Sequence, residues 1–267
     1  MSDRRNKTPL HFEIGLARPS ASRIEDGDLG LSKDCRALVP WDEPHFGDTF
    51  RGFSGNYKIN KVAPYRSMLA NDMRTLLDAD PDVESYNAYP HVMTYQVNDP
   101  DDGWVWKSFT PDLVVRLRGG GNRSSEIVVI EVRAEELQRR KSWIERLPYI
   151  QHAYWFDHGV RFLVYGESEI RSEPKLSNCK RLNALRWQAV IDQDARNRVL
   201  DTALRLMPDE NATTTVEDLV RASGLQPDPP KHRAVEAIAN LILEGWLFID
   251  HRVRWNERSV IHRRPVE

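Results

Sequence analysis

The sequence predicts an α/β protein built as a mixed-sheet domain followed by a smaller helical domain that ends in a short β-ribbon. Two observations predict it. Between residues 64 and 165 an amphipathic helical stretch leads into several β-prone runs, a second helical stretch and one more β-prone run. Beyond residue 186 the pattern turns helical, and Gly245 then separates the last helical stretch from two short β-prone runs.

Residues 1–50 mix charge, proline and glycine with little periodicity, as in Pro40-Trp41-Asp42-Glu43-Pro44, and read as an irregular arm of the kind that packs on a neighbouring protein. The first domain spans 51–171. In 64–78, Met68, Leu69, Met73, Leu76 and Leu77 recur at helical spacing, while Arg66, Asn71, Asp72 and Arg74 fill other positions. Asp80-Pro81 ends this helix, because a residue before proline is driven out of the α region. Strands follow at 83–86 and 92–97, then a polar turn at 98–103 and further strands at 104–109 and 112–116. Gly119-Gly120-Gly121-Asn122 makes a tight turn into the apolar run Ile127 to Val132, which reads as a central strand. Helix-forming residues fill 134–147 up to Pro148, and 161–165 supplies a last strand.

A linker is expected around 172–178, and the second domain spans 186–267. Its first helix is 187–206. Thr213-Thr214-Thr215 offers a hydroxyl cap to a short helix that ends at Ser223-Gly224. After the turn Pro227-Asp228-Pro229-Pro230, a helix from 232 to 244 carries Val235, Ile238, Ala239, Ile242 and Leu243 on its apolar side. Strands at 246–249 and 252–255, joined by Asp250-His251, complete the set. Three helices and a two-stranded ribbon make a winged helix, with 232–244 in the place of a recognition helix.

Composition narrows the function. A formal net charge of -2 argues against indiscriminate coating of nucleic acid, so any DNA contact must be local. One such place is the basic C-terminal set His251, Arg252, Arg254, Arg258, His262, Arg263 and Arg264, although a solvated tail accounts for it equally well. No apolar run is long enough for a bilayer and residues 1–7 are polar, which points to a cytoplasmic protein without membrane contact. Cys35 and Cys179 stand far apart, outside any CxxC or Cys/His pattern, and indicate neither a disulfide framework nor zinc.

The chemistry concentrates in Pro111-Asp112 and Glu131-Val132-Arg133, which a hairpin across the glycine turn would bring together. Strand alternation sends Glu131 and Arg133 to one face, within reach of Asp112 on the adjacent strand. The two carboxylates and the Val132 carbonyl are hard oxygen donors suited to Mg²⁺, and phosphodiester hydrolysis is the natural chemistry of such a set. Arg133 stands where a lysine would orient the attacking water; arginine keeps the positive charge but stays protonated, which excludes proton acceptance there. The plainer reading has Asp112 capping a turn and Glu131 paired with Arg133 or Arg116 at a strand end.

Taken in order, Tyr65-Arg66-Ser67-Met68-Leu69-Ala70-Asn71-Asp72, Asp80-Pro81-Asp82-Val83, Tyr89-Pro90, Phe109-Thr110-Pro111-Asp112 and Ile130-Glu131-Val132-Arg133 resemble the TnsA endonuclease family over roughly residues 50–170. The resemblance implies a restriction-endonuclease-like PD-(D/E)xK domain followed by a winged helix. It also implies Mg²⁺-dependent nicking of the 5′ ends of a transposon, on double-stranded DNA, beside a DDE transposase and an AAA+ ATPase regulator. By position, Asp112 and Glu131 match family active-site members and Arg133 replaces the lysine. The family's first acid, a glutamate, falls on Ala70, which has no ligand atom, while Asp72 lies about half a helical turn away. Three functions follow: an active nuclease, a noncatalytic relative that binds DNA and docks the transposase or ATPase, and a winged-helix DNA-binding regulator.

Overall fold

The computed structural model describes residues 22–24, 29–32, 34–38, 51–59, 61–119, 124–189, 192–209, 211–225 and 233–264. The chain is a mixed α/β protein. In order, its elements are β1 (Arg23–Ile24), β2 (Gly52–Asn56), β3 (Lys61–Tyr65), α1 (Met68–Ala79), β4 (Val83–Ala88), β5 (Met93–Asp99), β6 (Gly103–Phe109), β7 (Leu113–Leu117) and β8 (Glu126–Val132). Then come α2 (Glu135–Gln138), α3 (Lys141–His152), a π-helical turn (Ala153–Asp157), β9 (Arg161–Tyr165), α4 (Glu167–Ile170), α5 (Lys175–Ala189) and α6 (Gln193–Leu206). The C-terminal part adds β10 (Thr213–Thr215), α7 (Val216–Ser223), α8 (Arg233–Glu244), β11 (Leu247–Ile249) and β12 (Val260–Arg263).

The central sheet has the order β4-β7-β8-β9. β4 pairs with β7 and β7 with β8 in antiparallel fashion, and β9 joins β8 in parallel across the α3 crossover. β8 is apolar on both faces because both are covered. Val128, Ile130 and Val132 pack in one cluster with Leu69, Met73 and Leu77 of α1. Val129 packs on the other side with Trp143, Ile150 and Tyr154 of the α3 segment. The hairpin β5–β6, inserted between β4 and β7, pairs with β1 in a second sheet.

Several elements depart from the sequence expectation. α1 starts at Met68 because the Ser67 hydroxyl accepts from the Ala70 N–H at 3.1 Å, while Pro64 and Tyr65 belong to β3 and its hairpin with β2. Pro148 lies inside α3 and does not end it. Burial outweighs the proline's lost hydrogen bond there, since Ile150, Ala153 and Tyr154 beyond it are fully enclosed. The stretch 187–206 is broken between α5 and α6, and Asp192 caps α6 by accepting from the Ala195 N–H at 3.0 Å. The described parts of the N-terminal arm lie on this chain itself: Asn87 Nδ2 donates to the carbonyls of Gly30 and Ser32 at 2.7 and 2.9 Å. Most of that arm, the glycine turn at 120–122 and the turn at 227–230 lie outside the described residues.

Where a linker is expected, α5 begins at Lys175 and reaches in two directions. Buried Asn178 donates to the Val253 carbonyl and accepts from the Trp255 N–H, both at 2.9 Å. Further along, Asn183 and Arg186 donate to the α1 carbonyls of Thr75 and Asp78 at 3.0 and 2.8 Å. One core cluster consequently runs from Leu69 and Met73 through Leu176 and Leu182 to Ile238 and Ile242.

In the C-terminal part β12 lies between β10 and β11. Thr213–Thr215 forms β10, and the Thr215 hydroxyl also caps α7 by accepting from Asp218 N–H at 3.1 Å. α7 ends at Gly224, whose φ of 64° suits a residue without Cβ. The expected strand at 252–255 is instead part of the loop from Asp250 to Ser259, and β12 takes its place in the ribbon. Trp255 is drawn inward, its ring under the Arg181 guanidinium at 4.8 Å, which removes that segment from any ladder.

Candidate functional site

The antiparallel register of β7 and β8 sets Leu113 opposite Ile130, which places the next pair outward, Asp112 and Glu131, directly across from each other. Alternation puts both on the face of Val114 and Val129, beneath α3. The Asp112 carbonyl accepts from Tyr89 N–H at 2.9 Å, and its Oδ2 accepts from Val132 N–H at 2.8 Å. In an extended strand the N–H and C=O of one residue leave on the same side, so the Val132 carbonyl is also directed toward the Asp112 edge. The two carboxylates of the sequence-predicted set therefore face each other across β7 and β8.

Both carboxylates are enclosed, at 4% exposure each. Each faces a guanidinium. Arg66 Nη2 donates to Asp112 Oδ1 at 3.0 Å, and Arg133 Nη2 lies 3.4 Å from Glu131 Oε1. Among the described residues Glu131 Oε2 has no hydrogen-bond partner. Burial, followed by the negative charge of Asp112, pushes the Glu131 carboxyl well above the usual carboxylate range, against the downward pull of Arg133 and Arg66.

The Arg133 guanidinium lies over the Trp143 ring of α3, 3.9 Å from its centroid, which helps to hold it beside Glu131. The Arg133–Glu131 contact matches the ion pair anticipated in the plainer sequence reading. Behind it, His91 Nδ1 lies 2.9 Å from the Leu29 carbonyl, so that nitrogen carries the proton and Nε2 accepts from the Tyr154 hydroxyl at 2.8 Å. Burial, with the nearby Glu131 charge, raises the Tyr154 hydroxyl well above its ordinary value and keeps it a donor.

Ala70 is packed among apolar residues of the α1 face at 3% exposure and adds no polar atom. Asp72 points elsewhere: its carboxylate takes Arg171 Nε at 2.8 Å and Lys180 Nζ at 3.0 Å. Among the described residues no three His, Cys, Asp or Glu side chains gather into a metal-ligand group. Arg66, Tyr89, His91, Trp143 and Tyr154 belong to the site and were not singled out for it from sequence. A charge-balance argument could have found Arg66, because two buried acids demand cations beyond Arg133.

The basic C-terminal set is partly committed. Arg252 pairs with Asp250 at 3.0 Å, Arg264 pairs with Asp82, and Arg263 donates to the Met207 and Pro208 carbonyls at 3.1 and 3.2 Å. No described helix is long and apolar enough to cross a membrane. Neither protein-family models nor curated protein sequences match the chain.

Proposed function

We propose that this chain is a TnsA-like subunit of a heteromeric DNA transposition complex, an Mg²⁺-dependent endonuclease that nicks the 5′ ends of a transposon. The observation that carries the reading is the opposed pair Asp112 and Glu131 on neighbouring strands, with Glu131 Oε2 left without a hydrogen-bond partner among the described residues. Support for a restriction-endonuclease-like domain comes from helix α1, the antiparallel strands β4, β7 and β8, the crossover α3 and the parallel β9. The sequence α6, β10, α7, α8, β11, β12 with β12 in the centre supports a winged helix.

The donor set suits Mg²⁺, which binds proteins through one or two carboxylates and retains waters for the rest of its shell. Asp112, Glu131 and the Val132 carbonyl would hold it, and when bound it supplies charge neutralisation on the phosphate and acidifies water. The chain's own groups then have limited roles. Arg133, held on Trp143, offsets phosphate charge and cannot accept a proton. Ala70 contributes nothing, so cleavage is slow compared with a complete site. Purified protein with Mg²⁺, transposon-end DNA, a DDE transposase and an AAA+ ATPase should give 5′-strand nicks that Asp112→Asn and Glu131→Gln abolish. Absence of nicking with all partners present refutes it.

A second reading, a noncatalytic nuclease-fold protein that binds DNA and docks the transposase or ATPase, is favoured by the Arg66–Asp112 ion pair and by apolar Ala70. It predicts no nicking by the native chain and cleavage created by Ala70→Glu combined with Arg133→Lys. No gain in a double variant that stays folded counts against it.

A further inference from the structure

We infer that Arg66 is an exchangeable counter-ion of the carboxylate pair: it occupies Asp112 in the resting protein, and a divalent cation takes Asp112 only when Arg66 leaves. The inference rests on the metal-site reading above and adds a residue which that reading does not use.

The hydrogen bonds of Asp112 are divided unequally. Oδ2 is committed to a backbone N–H of the central sheet, whereas Oδ1 is held by a side chain that can move. Arg66 is the accessible member of the pair, its side chain 30% exposed against 5% for Asp112, so solvent reaches the guanidinium before the carboxylate. On the Glu131 side Arg133 is likewise the exposed partner, at 26% against 6%. A cation approaching the pair therefore meets fixed positive charge first, and Asp112 cannot serve Arg66 and a metal through the same oxygen at full strength.

The resting position is built. The Arg66 guanidinium lies over the Tyr89 ring at 4.6 Å, and the Arg66 backbone N–H donates to the Tyr89 hydroxyl at 2.8 Å. Tyr89 has a φ of 48°, a conformation that side-chain-bearing residues avoid, and from it the Tyr89 N–H reaches the Asp112 carbonyl. One strained residue thus holds both members of the ion pair. A surface-exposed arginine that had met a carboxylate by chance would not have this support. Once displaced, Arg66 remains on a short tether beside the pair, placed to contact a phosphodiester oxygen that the same cation attracts.

Mn²⁺ binding to the full-length chain, followed by electron paramagnetic resonance or calorimetry, tests this without any nuclease assay. Arg66→Gln should bind Mn²⁺ at least tenfold tighter than the wild type, Arg66→Lys should return affinity toward the wild-type value, and Asp112→Asn should remove the site in either background. Should Arg66→Gln fold poorly, wild-type protein supplies the second measurement: saturating Mn²⁺ should speed modification of Arg66 by phenylglyoxal, read by peptide mass spectrometry. Unchanged or weaker Mn²⁺ binding by folded Arg66→Gln, or unchanged Arg66 reactivity when Mn²⁺ occupies Asp112, overturns the inference. Asp112-dependent Mn²⁺ binding that ignores Arg66 would leave the nuclease reading standing. Tighter binding by Arg66→Gln without nicking would leave the counter-ion role standing and remove the nuclease.

Discussion

Asp78 sits at the end of α1, 4% exposed, where it accepts through Oδ1 from the Tyr57 N–H at 3.2 Å and the Tyr86 hydroxyl at 3.1 Å. Burial pushes its carboxyl up to about 6 from an ordinary 3.8, despite the Tyr86 hydrogen bond and the nearby Arg186 and Arg74. A raised carboxyl binds its proton more tightly in the folded chain than in the unfolded one. Stability therefore falls as pH climbs from about 4 to about 6, and the full cost persists above that range. Two pH units correspond to about 3 kcal/mol. Asp78→Asn keeps an acceptor for both donors and cannot ionise. At pH 8 it should exceed the wild type by up to about 3 kcal/mol, or roughly 6–12 °C in melting temperature at about 2–4 °C per kcal/mol. Near pH 4 the two proteins should converge. Thermal melts at pH 8 and pH 4.5 decide the matter. A variant that melts below the wild type at pH 8, or a gap that is the same at both pH values, refutes the reasoning.

Asn178→Ala removes a donor and an acceptor that meet the backbone of the 250–259 loop, and urea unfolding should register a loss of about 2–4 kcal/mol. Gly30→Ala would place a Cβ 2.5 Å from the Pro90 carbonyl oxygen at a φ of 74°, so the 29–32 segment should detach. Faster hydrogen exchange at residues 87–91, absent from Gly224→Ala, is the expected signature, because no atom of the described residues lies within 4 Å of a Cβ at Gly224. Trp143→Ala leaves a core void and takes away the platform under Arg133, and should cost about 3–5 kcal/mol by chemical denaturation.

Periodicity made the central elements legible. Helical spacing marks α1, and the uninterrupted apolar run of β8 reflects burial on both sides. The Asp112–Glu131 encounter was readable because a hairpin register pairs residues by arithmetic once the turn is located. Other features depended on contacts distant in sequence. Asn178 looks like linker polarity, yet it is buried because the backbone of Val253 and Trp255 needs partners. Arg252 to Trp255 alternates as a strand does, but Trp255 is claimed by α5 and the ladder passes to Val260–Arg263. Pro148 reads as a stop, and only the enclosed residues after it explain why α3 continues. Arg66 reads as one of the polar positions of the helical stretch 64–78, and nothing local says that an acid 46 residues later awaits it.

The helix α5 has a practical consequence for dissecting the molecule. A fragment starting at residue 186 would discard most of that helix, including the amide that steadies Val253 and Trp255, and would take Leu176 and Leu182 out of the buried cluster that holds Ile238 and Ile242. Weak DNA binding by such a truncation would then report damaged packing and not the absence of a recognition surface. A cut ahead of Lys175 spares the helix but strips α1 from its flank, so point substitutions in the intact chain are the cleaner instrument for separating the two halves.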